Sequence, residues 1–407
     1  MTVSTAAPAA GLRVDVRDLP GLHPPGMTTP VDEPSAGGLP QVLLPSGHRA
    51  VHLTSYRDVH QVLTDVSFAR AETNVEDGPT FLPTIMPTEM LLNLDHPDHG
   101  RLKGFVGSAY SAAAVARRVP SVDRVLDGAI AELRADREAG RADLVGTLLD
   151  PLTIGVNVDF LGIPRRDVPG FRALSREMQI ASDADVPALL ESFWTLYGYI
   201  GDLVAGRREV EPGLISDLLA ARESVSPPVT DGEYTAILLG SIVGGDQNVL
   251  SVIGKIAYVA LARPQLWDHL VAQPDSIPAV VEEFLRLLPL GRISTFPRVA
   301  TRDVALEHGT LHPGDVVYAD AHRANRDPAE YPDPWVIDVS RQGRRHLQFG
   351  YGMHHCMGAA LARMEITETI RRLTRELPDL RLAVDPAEIS WDTGILVHRP
   401  VALPVTW

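Results

Sequence analysis

The sequence predicts a mainly helical protein with small β-sheets, an α+β fold. Residues 121–140 place their apolar side chains on one helical face, with a proline before the segment and a glycine at its end. Residues 230–263 keep a helical pattern for about 32 residues, which is roughly 48 Å of helix and long enough to cross a domain. Residues 41–53 instead alternate strand, turn and strand. Long helices beside a short hairpin indicate this class.

The first part of the chain is expected to be poor in helix. Residues 1–40 lack a periodic pattern and are predicted to form an irregular N-terminal arm. Two strands, 41–44 and 50–53, are predicted on either side of the turn at residues 45–48, Pro-Ser-Gly-His. Residues 71–90 carry several prolines and a glycine among few periodic positions, which predicts a loop.

The later part of the chain predicts the longest helices. Residues 230–233, Thr-Asp-Gly-Glu, form a capping box at the start of the long helix, and Pro264 ends it. Residues 277–288 predict another helix, and a further one follows residue 356. The last stretch, 389–407, is expected to contain strands and loop.

Composition excludes several classes of protein. The chain has 407 residues, a net charge of −15 and one cysteine, which argues against a nucleic-acid partner and against a disulfide framework. No run approaches the ~20 apolar residues that span a bilayer. The N-terminus lacks the basic start and apolar core of a secretion signal. We therefore expect a soluble, cytoplasmic protein of bacterial type, with residues 41–407 folded as a single domain.

The one cysteine, Cys356, lies in the segment Phe-Gly-Tyr-Gly-Met-His-His-Cys-Met-Gly at 349–358. A free cysteine is often a buried structural thiol. A metal site formed by His354, His355 and Cys356 is a second interpretation. Adjacent side chains point apart, however, and the four-ligand pattern of structural zinc is absent.

The segment resembles the haem-binding loop of the cytochrome P-450 superfamily, because all five fixed positions match: Phe349, Gly352, His354, Cys356 and Gly358. The resemblance extends from about residue 40 to the C-terminus. It implies the P-450 fold, a triangular-prism-shaped helical body around a buried haem b, with Cys356 as the axial iron ligand. A helix N-terminus helps to keep such a sulfur anionic, and a thiolate favours cleavage of a bound O–O bond.

The same resemblance gives the other loop residues roles. Phe349 would shield the sulfur, Gly352 would allow a tight turn, Gly358 would let the helix approach the porphyrin, and His354 would reach a haem propionate. Three further residues would hold propionates: His99, Lys103 and Arg298. Lys103 stands where the family has arginine, so it would act as a point charge without a bidentate fork. The alternative for each of the three is an ordinary surface base.

Glu283-Phe284-Leu285-Arg286 matches the family's Glu-x-x-Arg signature, and Arg341 stands where the family places a second arginine. Together Glu283, Arg286 and Arg341 would form a structural lock behind the haem that serves folding and haem retention. Alone, an i,i+3 ion pair on a helix is common and stabilises by only ~0.2–0.5 kcal/mol.

The long helix carries Val243-Gly244-Gly245-Asp246-Gln247-Asn248. By resemblance, Gly244 and Asp246 match the groove that holds dioxygen and the acid that delivers protons. The family's threonine is replaced by Gln247, followed by Asn248, and an amide relays a proton less readily than a hydroxyl. Three outcomes follow from the missing threonine. Gln247 or Asn248 could order the relay waters, or the substrate could supply its own hydroxyl or amide. In the third, the enzyme performs an oxidation that does not insert oxygen. We therefore predict Asp246, Gln247 and Asn248 as catalytic residues.

The resemblance also suggests substrate contacts at Gly245, Leu290, Arg292, Ile293 and Leu396, which suit a bulky and mostly apolar metabolite. Arg292 could anchor an acidic group. Ferredoxin and ferredoxin reductase are the expected electron donors, O2 is the expected co-substrate, and we expect a monomer. The basic run at 341–346 could dock an acidic donor or be a solvated face.

These inferences predict a haem-thiolate P-450 oxidoreductase, a monooxygenase or oxidase, that tailors a macrolide, polyketide or peptide-derived natural product by O2-dependent oxidation. Oxidation without oxygen insertion, such as coupling, desaturation or decarboxylation, is an alternative because of Gln247. A peroxide-using haem enzyme and a non-catalytic haem-binding protein are two others.

Overall fold

Helices form most of the secondary structure in this computed structural model, which describes residues 11–140, 142–179, 185–341 and 345–407. The α-helices in these ranges are α1 (Tyr56–Thr64), α2 (Asp98–Gly107), α3 (Ala112–Ala116), α4 (Val119–Glu138), α5 (Asp150–Leu161), α6 (Val168–Glu177), α7 (Val186–Val204), α8 (Leu214–Ala221), α9 (Asp231–Gly245), α10 (Gln247–Ala262), α11 (Pro264–Ala272), α12 (Ile277–Leu287), α13 (Ala321–Ala324) and α14 (Ala359–Glu376). A π-helical turn, Leu144–Leu149, leads into α5.

The strands are short and form small sheets. They are β1 (Arg13–Asp15), β2 (Thr29–Val31), β3 (Gln41–Leu43), β4 (Arg49–Leu53), β5 (Phe68–Ala69), β6 (Arg298–Ala300), β7 (Val304–Ala305), β8 (Thr310–Leu311), β9 (Val316–Ala319), β10 (Val336–Asp338), β11 (Arg381–Leu382), β12 (Trp391–Asp392), β13 (Arg399–Pro400) and β14 (Val405–Thr406). One sheet has six strands in the order β2-β3-β4-β9-β6-β5, and β4 runs parallel to β9. The predicted mainly helical α+β class is confirmed.

The core is built around α10. From Val249 to Leu261 every residue of this helix is buried, and α4, α5, α12 and α14 pack their apolar faces into the same cluster. A second cluster joins α2, α5, α7, α8 and α9. A third lies between α1 and the six-stranded sheet. Because α10 is surrounded by protein, side chains along it reach several other elements at once.

The N-terminal arm is not irregular throughout, which corrects the prediction for residues 1–40. Residues 1–10 lie outside the described chain. Beyond them, β1 pairs antiparallel with β10 and β2 pairs with β3. Val14, Val16, Leu19 and Leu22 are buried in the α10 cluster. Their apolar side chains are spaced too unevenly to show a period, yet the arm packs against the core through them.

The long helix at 230–263 is interrupted, which corrects the prediction of one continuous helix. Thr230 and Glu233 form the predicted capping box, with Glu233 N–H donating to Thr230 Oγ1 at 3.2 Å and Thr230 N–H donating to Glu233 Oε2 at 2.9 Å. At Asp246 the backbone leaves the helical region (φ −105°, ψ −82°), which separates α9 from α10. The break falls at the acid that the sequence predicts to be catalytic.

Two helical segments, Leu144–Leu161 and Asp231–Ala262, are long and apolar enough to cross a membrane by length and composition. Two thirds of each apolar window is buried inside the protein. Core helices of soluble proteins show the same property, and here both segments belong to the central clusters.

Asp320 connects the six-stranded sheet to α13. Its carboxylate accepts hydrogen bonds from His52 Nε2 at 3.1 Å, from Ser294 Oγ at 3.2 Å and from the amide of Arg323 at 3.1 Å. Burial disfavours the charge, but the bond from His52 and the nearby imidazole of His322 outweigh burial and lower the pKa of Asp320 to about 2. An ordinary aspartate has a pKa of about 3.9.

We predict that Asp320→Asn lowers the free energy of unfolding at pH 7 by about 2 kcal/mol, since each unit of pKa shift corresponds to ~1.4 kcal/mol. The native pKa is depressed, so this stabilisation is complete above about pH 4 and is lost as pH falls towards 2. Urea unfolding between pH 2 and 7 measures it. Asp303→Asn, at a surface carboxylate 73% exposed, is the control. Equal pH slopes for wild type and Asp320→Asn would contradict the prediction.

Candidate active site around Cys356

The loop before α14 holds Cys356 by its backbone. The amide of Cys356 donates to the carbonyl of Phe349 at 2.8 Å, and a short 3₁₀ turn covers Gly352–His354. Gly352 has φ +64°, and a Cβ there would lie 2.5 Å from the carbonyl oxygen of Leu63 at the end of α1. Conformation and packing therefore both require glycine at 352, and the loop is tied to α1.

The sulfur of Cys356 lies at the N-terminal end of α14. Its side chain is exposed, although the surrounding protein desolvates it and so raises its pKa above the ordinary value. The amides of Gly358 and Ala359 and the cations Lys103 and Arg363 act in the opposite direction. A Cβ at Gly358 would lie 3.9 Å from the sulfur. The thiol is thus reachable by a ligand and surrounded by groups that favour its anion.

Phe349 lies beside the same loop. The Arg363 guanidinium stacks 4.5 Å from the centre of its ring, and Arg363 Nε donates to Glu282 Oε1 at 2.6 Å. This chain of contacts links α12, α14 and the cysteine loop.

Glu283, Arg286 and Arg341 come together as predicted for the lock. Arg286 Nε and Nη2 donate to the two oxygens of Glu283 at 2.9 and 3.1 Å, and Arg341 Nε donates to Oε2 at 3.0 Å. Arg286 also donates to three carbonyls in residues 325–341, the meander that follows α13: those of Asn325, Pro334 and Val336. The buried pair therefore fastens α12 to the segment that leads into the cysteine loop.

One side of the cysteine loop carries an excess of positive charge. Arg70 and Arg298 are both buried. Burial lowers the pKa of Arg70 to about 9, and the charge of Arg298 adds to this effect. Burial lowers the pKa of Arg298 to about 10. Asp95 is the acid that acts on both of them. The only hydrogen bond from the Arg298 side chain to a described residue is to the carbonyl of Val62, at 3.2 Å.

His99 and His354 lie beside these two arginines, with their ring centres 4.6 Å apart. Burial lowers the pKa of His99 to about 4, and His354 and Lys103 add to the effect. Nε2 of His354 is buried without a hydrogen-bond partner, and its nearest carboxylate oxygen, on Asp95, is 4.0 Å away. The unpartnered His354 Nε2, beside two buried arginines, suits an anionic ligand.

Lys103 is placed differently from the prediction. Its ammonium group donates to the backbone carbonyls of Met353 and His355, the latter at 3.1 Å. The lysine side chain is shorter than that of arginine, and its ammonium group ends at the loop backbone. Lys103 therefore holds the cysteine loop and also acts electrostatically on Cys356.

The break between α9 and α10 organises the predicted catalytic residues. Asp246 is fully buried. Thr153 Oγ1 donates to its Oδ1 at 3.0 Å, and Gln247 Nε2 donates to its Oδ2 at 3.0 Å. Asn248 is half-buried. Gln247 is thus bound to the acid, and its Oε1 is buried without a partner.

The two glycines before Asp246 have different surroundings. A Cβ on Gly244 would meet nothing within 4 Å, and this residue is exposed. A Cβ on Gly245 would lie 2.6 Å from Oδ1 of Asn157 on α5. Gly245, predicted as a substrate contact, is therefore a packing position, and Gly244 provides the open surface.

The other predicted substrate residues lie in two segments that pair. Arg292 N–H donates to the carbonyl of Leu396 at 2.8 Å, next to a β-bridge between Gly291 and Val397. Leu290, Arg292 and Leu396 are half-buried. Ile293 packs instead on the cluster under β3 and β9 that includes Phe81, so it is a core contact, because the chain enters the sheet there.

Known proteins resemble this chain over nearly its full length. A sequence model of the family Cytochrome P450 matches residues 275–378. Nocardicin C N-oxygenase from Nocardia uniformis subsp. tsuyamanensis is 34% identical over 403 residues, 97% of this chain and 100% of that protein. Mycinamicin IV hydroxylase/epoxidase from Micromonospora griseorubida is 34% identical over 363 residues, 89% of this chain and 91% of that protein.

The chain is a cytochrome P450. A solved cytochrome P450 with biaryl coupling reactivity superposes with a TM-score of 0.82 at 34% identity, covering 88% of this chain and 91% of that one. The P450 fold predicted from the cysteine segment is confirmed, and haem, iron protoporphyrin IX, is the cofactor of the family.

The residues present fit haem. The exposed side chain of Cys356 at the N-terminus of α14 is the kind of group that would hold the haem iron as a thiolate. Arg298, with one side-chain hydrogen bond, and His354 Nε2, with none, have donors available for propionate carboxylates. The donors of Arg70 are bound within the protein. The alternative metal site is not supported, because within the described ranges no three His, Cys, Asp or Glu side chains are grouped to hold a metal ion.

Sequence reasoning missed three kinds of site residue. Arg70 and Asp95 belong to the propionate side but match no motif. Thr153 holds Asp246 from α5. Glu365 on α14 is buried with Oε1 unpartnered, and burial together with Asp246 raises its pKa well above the ordinary value. A single polar position on an amphipathic helix gives no signal for such a role.

We predict that Arg298→Gln accelerates transfer of haem to apomyoglobin by about 10- to 100-fold, because a hydrogen bond to a charged group stabilises by roughly 1.5–3 kcal/mol. Stopped-flow absorbance measures the rate. Arg302→Gln is the matched control, since Arg302 is four residues away with its side chain 65% exposed and paired to Asp65 at the surface. Equal rates for both variants would remove Arg298 from haem binding.

Proposed function

We propose that this P450 uses O2 to oxidise a bulky natural product. The observation that carries the proposal is the exposed Cys356 sulfur at the α14 N-terminus in a chain that also holds a buried acid, Asp246, beside the open glycine position 244. The two sequence relatives are named for N-oxygenation of nocardicin C and for hydroxylation and epoxidation of mycinamicin IV. A peptide-derived or macrolide-type substrate is therefore the chemical class proposed.

Haem, when bound, would activate dioxygen, and a cysteine thiolate on its iron favours cleavage of the O–O bond. The protein's part is to offset, with amides and cations, some of the cost of a charged Cys356, to keep substrate beside the Gly244 surface and to provide protons. Asp246 is the proposed proton donor. Its two oxygens are held by Thr153 and Gln247, so it must release one of them to reach a proton acceptor. Glu365, whose pKa is raised by burial and by Asp246, is a second acid close enough to interact electrostatically with Asp246.

Gln247 changes how the proton is passed on. Its Nε2 donates to Asp246, while its Oε1 remains unpartnered in a buried position. An amide can order a water molecule but cannot itself ionise. We propose that Gln247 fixes Asp246 and that Asn248, which is half-buried, orders the water that carries the proton.

Electrons are proposed to come from a ferredoxin and its reductase. Family members of this kind use redox partners. In the basic run 341–346, Arg345 is exposed, whereas Arg341 is bound to Glu283 and His346 is buried. Residues 342–344 lie outside the described chain. A local basic surface steers an acidic donor even in a chain of net charge −15. A monomeric, cytoplasmic protein completes this proposal.

A non-catalytic haem-binding protein is not favoured by relatives that are named oxygenase and hydroxylase. Oxidation without oxygen insertion is not favoured either, but one structural relative has biaryl coupling reactivity. Product mass separates the two reactions, because insertion adds one oxygen atom and coupling or desaturation removes hydrogen.

We predict that incubating the enzyme with mycinamicin IV and with nocardicin C, a surrogate ferredoxin, its reductase and NADPH gives a product one oxygen heavier from at least one of these compounds or a close analogue. Mass spectrometry under ¹⁸O2 checks the source of the oxygen. A product that has lost two hydrogens and carries no label would contradict oxygen insertion.

We predict that Asp246→Asn lowers coupled turnover at least ~10-fold and diverts reducing equivalents to hydrogen peroxide, because positioned acids typically contribute 10²–10⁴-fold. Oxygen consumption and peroxide release are measured together. Asp231→Asn, at the exposed start of α9, is the control. Unchanged turnover and coupling would remove Asp246 from the mechanism.

A further inference from the structure

Lys255 is a buried lysine in the middle of α10. It is fully buried, and in the described chain no carboxylate oxygen lies within 4.0 Å of its Nζ as an ion-pair partner. Lysine is rarely buried in this way because desolvating its ammonium group is costly. The proton is therefore disfavoured, and burial lowers the pKa of Lys255 well below its ordinary value. An apolar residue would fill this position at less cost to stability.

The lysine nitrogen binds backbone carbonyls. Nζ donates to the carbonyl oxygen of Pro289 and, at 3.0 Å, to that of Leu290. Ser251 lies one turn earlier on α10, and its Oγ is 2.8 Å from the Leu290 carbonyl and 2.7 Å from the His398 carbonyl. Two side chains on one face of α10 thus contact both segments that carry the proposed substrate residues.

The same two segments are tied to each other. The amide of His398 donates to the Leu290 carbonyl at 3.2 Å, and that of Arg292 donates to the Leu396 carbonyl at 2.8 Å. Gly291 lets the chains approach, because a Cβ there would lie 2.1 Å from the Leu396 carbonyl oxygen. The Leu290 carbonyl therefore meets three donors: Lys255, Ser251 and His398.

His322 completes the set from the other side. Its Nε2 accepts the amide proton of Leu290 at 3.2 Å, which requires that nitrogen to be unprotonated. Burial, with Arg326 and Lys255 nearby, lowers the pKa of His322 to about 3 despite Asp320, so it remains an acceptor at neutral pH. Both backbone groups of Leu290 are thereby held by side chains.

We propose that Lys255 and Ser251 act as a clamp that fixes residues 289–292 and 396–398 and so sets the size of substrate that fits between these segments. Lys255 is a positioning residue that acts through these two segments. It is nine residues after Asp246, or about 13 Å along one helix axis, so α10 fixes the substrate segments relative to the acid. The inference rests on the proposed function, because it requires these segments to line the substrate pocket.

The test uses two iron-binding azoles of different size on the holoenzyme. Lys255→Met keeps the volume and removes the donors. We expect the affinity for clotrimazole, which fills the pocket, to fall at least ~10-fold, because the loosened segments must be ordered on binding. The affinity for imidazole is expected to stay within ~2-fold, since this small ligand does not reach the segments. Lys255→Gln, which retains donor hydrogens, should recover part of the clotrimazole affinity.

Two further variants separate positioning from stability. Ile256→Val removes a methylene from the next buried position of α10 and should lower the melting temperature without changing the ratio of the two affinities. Ser251→Ala should shift the ratio in the same direction as Lys255→Met, and it carries the test if the lysine variant does not fold. Amide hydrogen exchange of residues 289–292 and 396–398 should accelerate in Lys255→Met and not in Ile256→Val.

An unchanged ratio of azole affinities in both Lys255→Met and Ser251→Ala, with unchanged hydrogen exchange, would overturn the clamp. So would an equal loss of both affinities. If the wild-type protein instead failed to show a thiolate-type spectrum with carbon monoxide, the proposed function would fail first. The two failures are therefore distinguishable.

Discussion

The structure depends on the placement of one sulfur atom. A thiolate becomes a strong iron ligand only where positive partial charges and cations offset the cost of burying it. Here the amides of Gly358 and Ala359, the ammonium of Lys103 and the guanidinium of Arg363 act together on Cys356. The ammonium group of Lys103 also binds the backbone carbonyls of Met353 and His355. One side chain therefore fixes the loop conformation and acts on the charge of the sulfur. The left-handed Gly352 against Leu63 anchors the loop from its other side.

Two rigid supports surround this loop. On one side, the buried Glu283–Arg286–Arg341 group joins α12 to the meander. On the other, α10 crosses the core and packs in one cluster with α4, α5, α12 and α14. The break at Asp246 lies where this helix would otherwise be regular, and the bonds from Thr153 and Gln247 hold the acid in place. The same helix then reaches the proposed substrate segments through Ser251 and Lys255. One helix thus links the acid to the pocket wall.

The fold class, the cysteine loop and the cofactor could be predicted because each depends on local sequence. A capping box, an amphipathic period and a ten-residue motif are all visible within one turn or loop. Arg70, Asp95 and Thr153 could not be found, because their roles come from segments brought together by the fold. Gly245 and Ile293 were assigned to substrate, but the first packs on Asn157 and the second on the core under the sheet. Tertiary packing decides whether a given position faces the substrate or the core, and the local sequence does not reveal this.

The central claim is that Cys356 binds the haem iron as a thiolate. The most direct measurement is the absorption spectrum of the reduced protein with carbon monoxide, for wild type and for Cys356→His. Thiolate ligation predicts a long-wavelength Soret band in wild type that moves to the shorter wavelength of histidine-ligated haem in the variant. A long-wavelength band that is the same in both proteins, or a wild type that takes up no haem, would contradict the account.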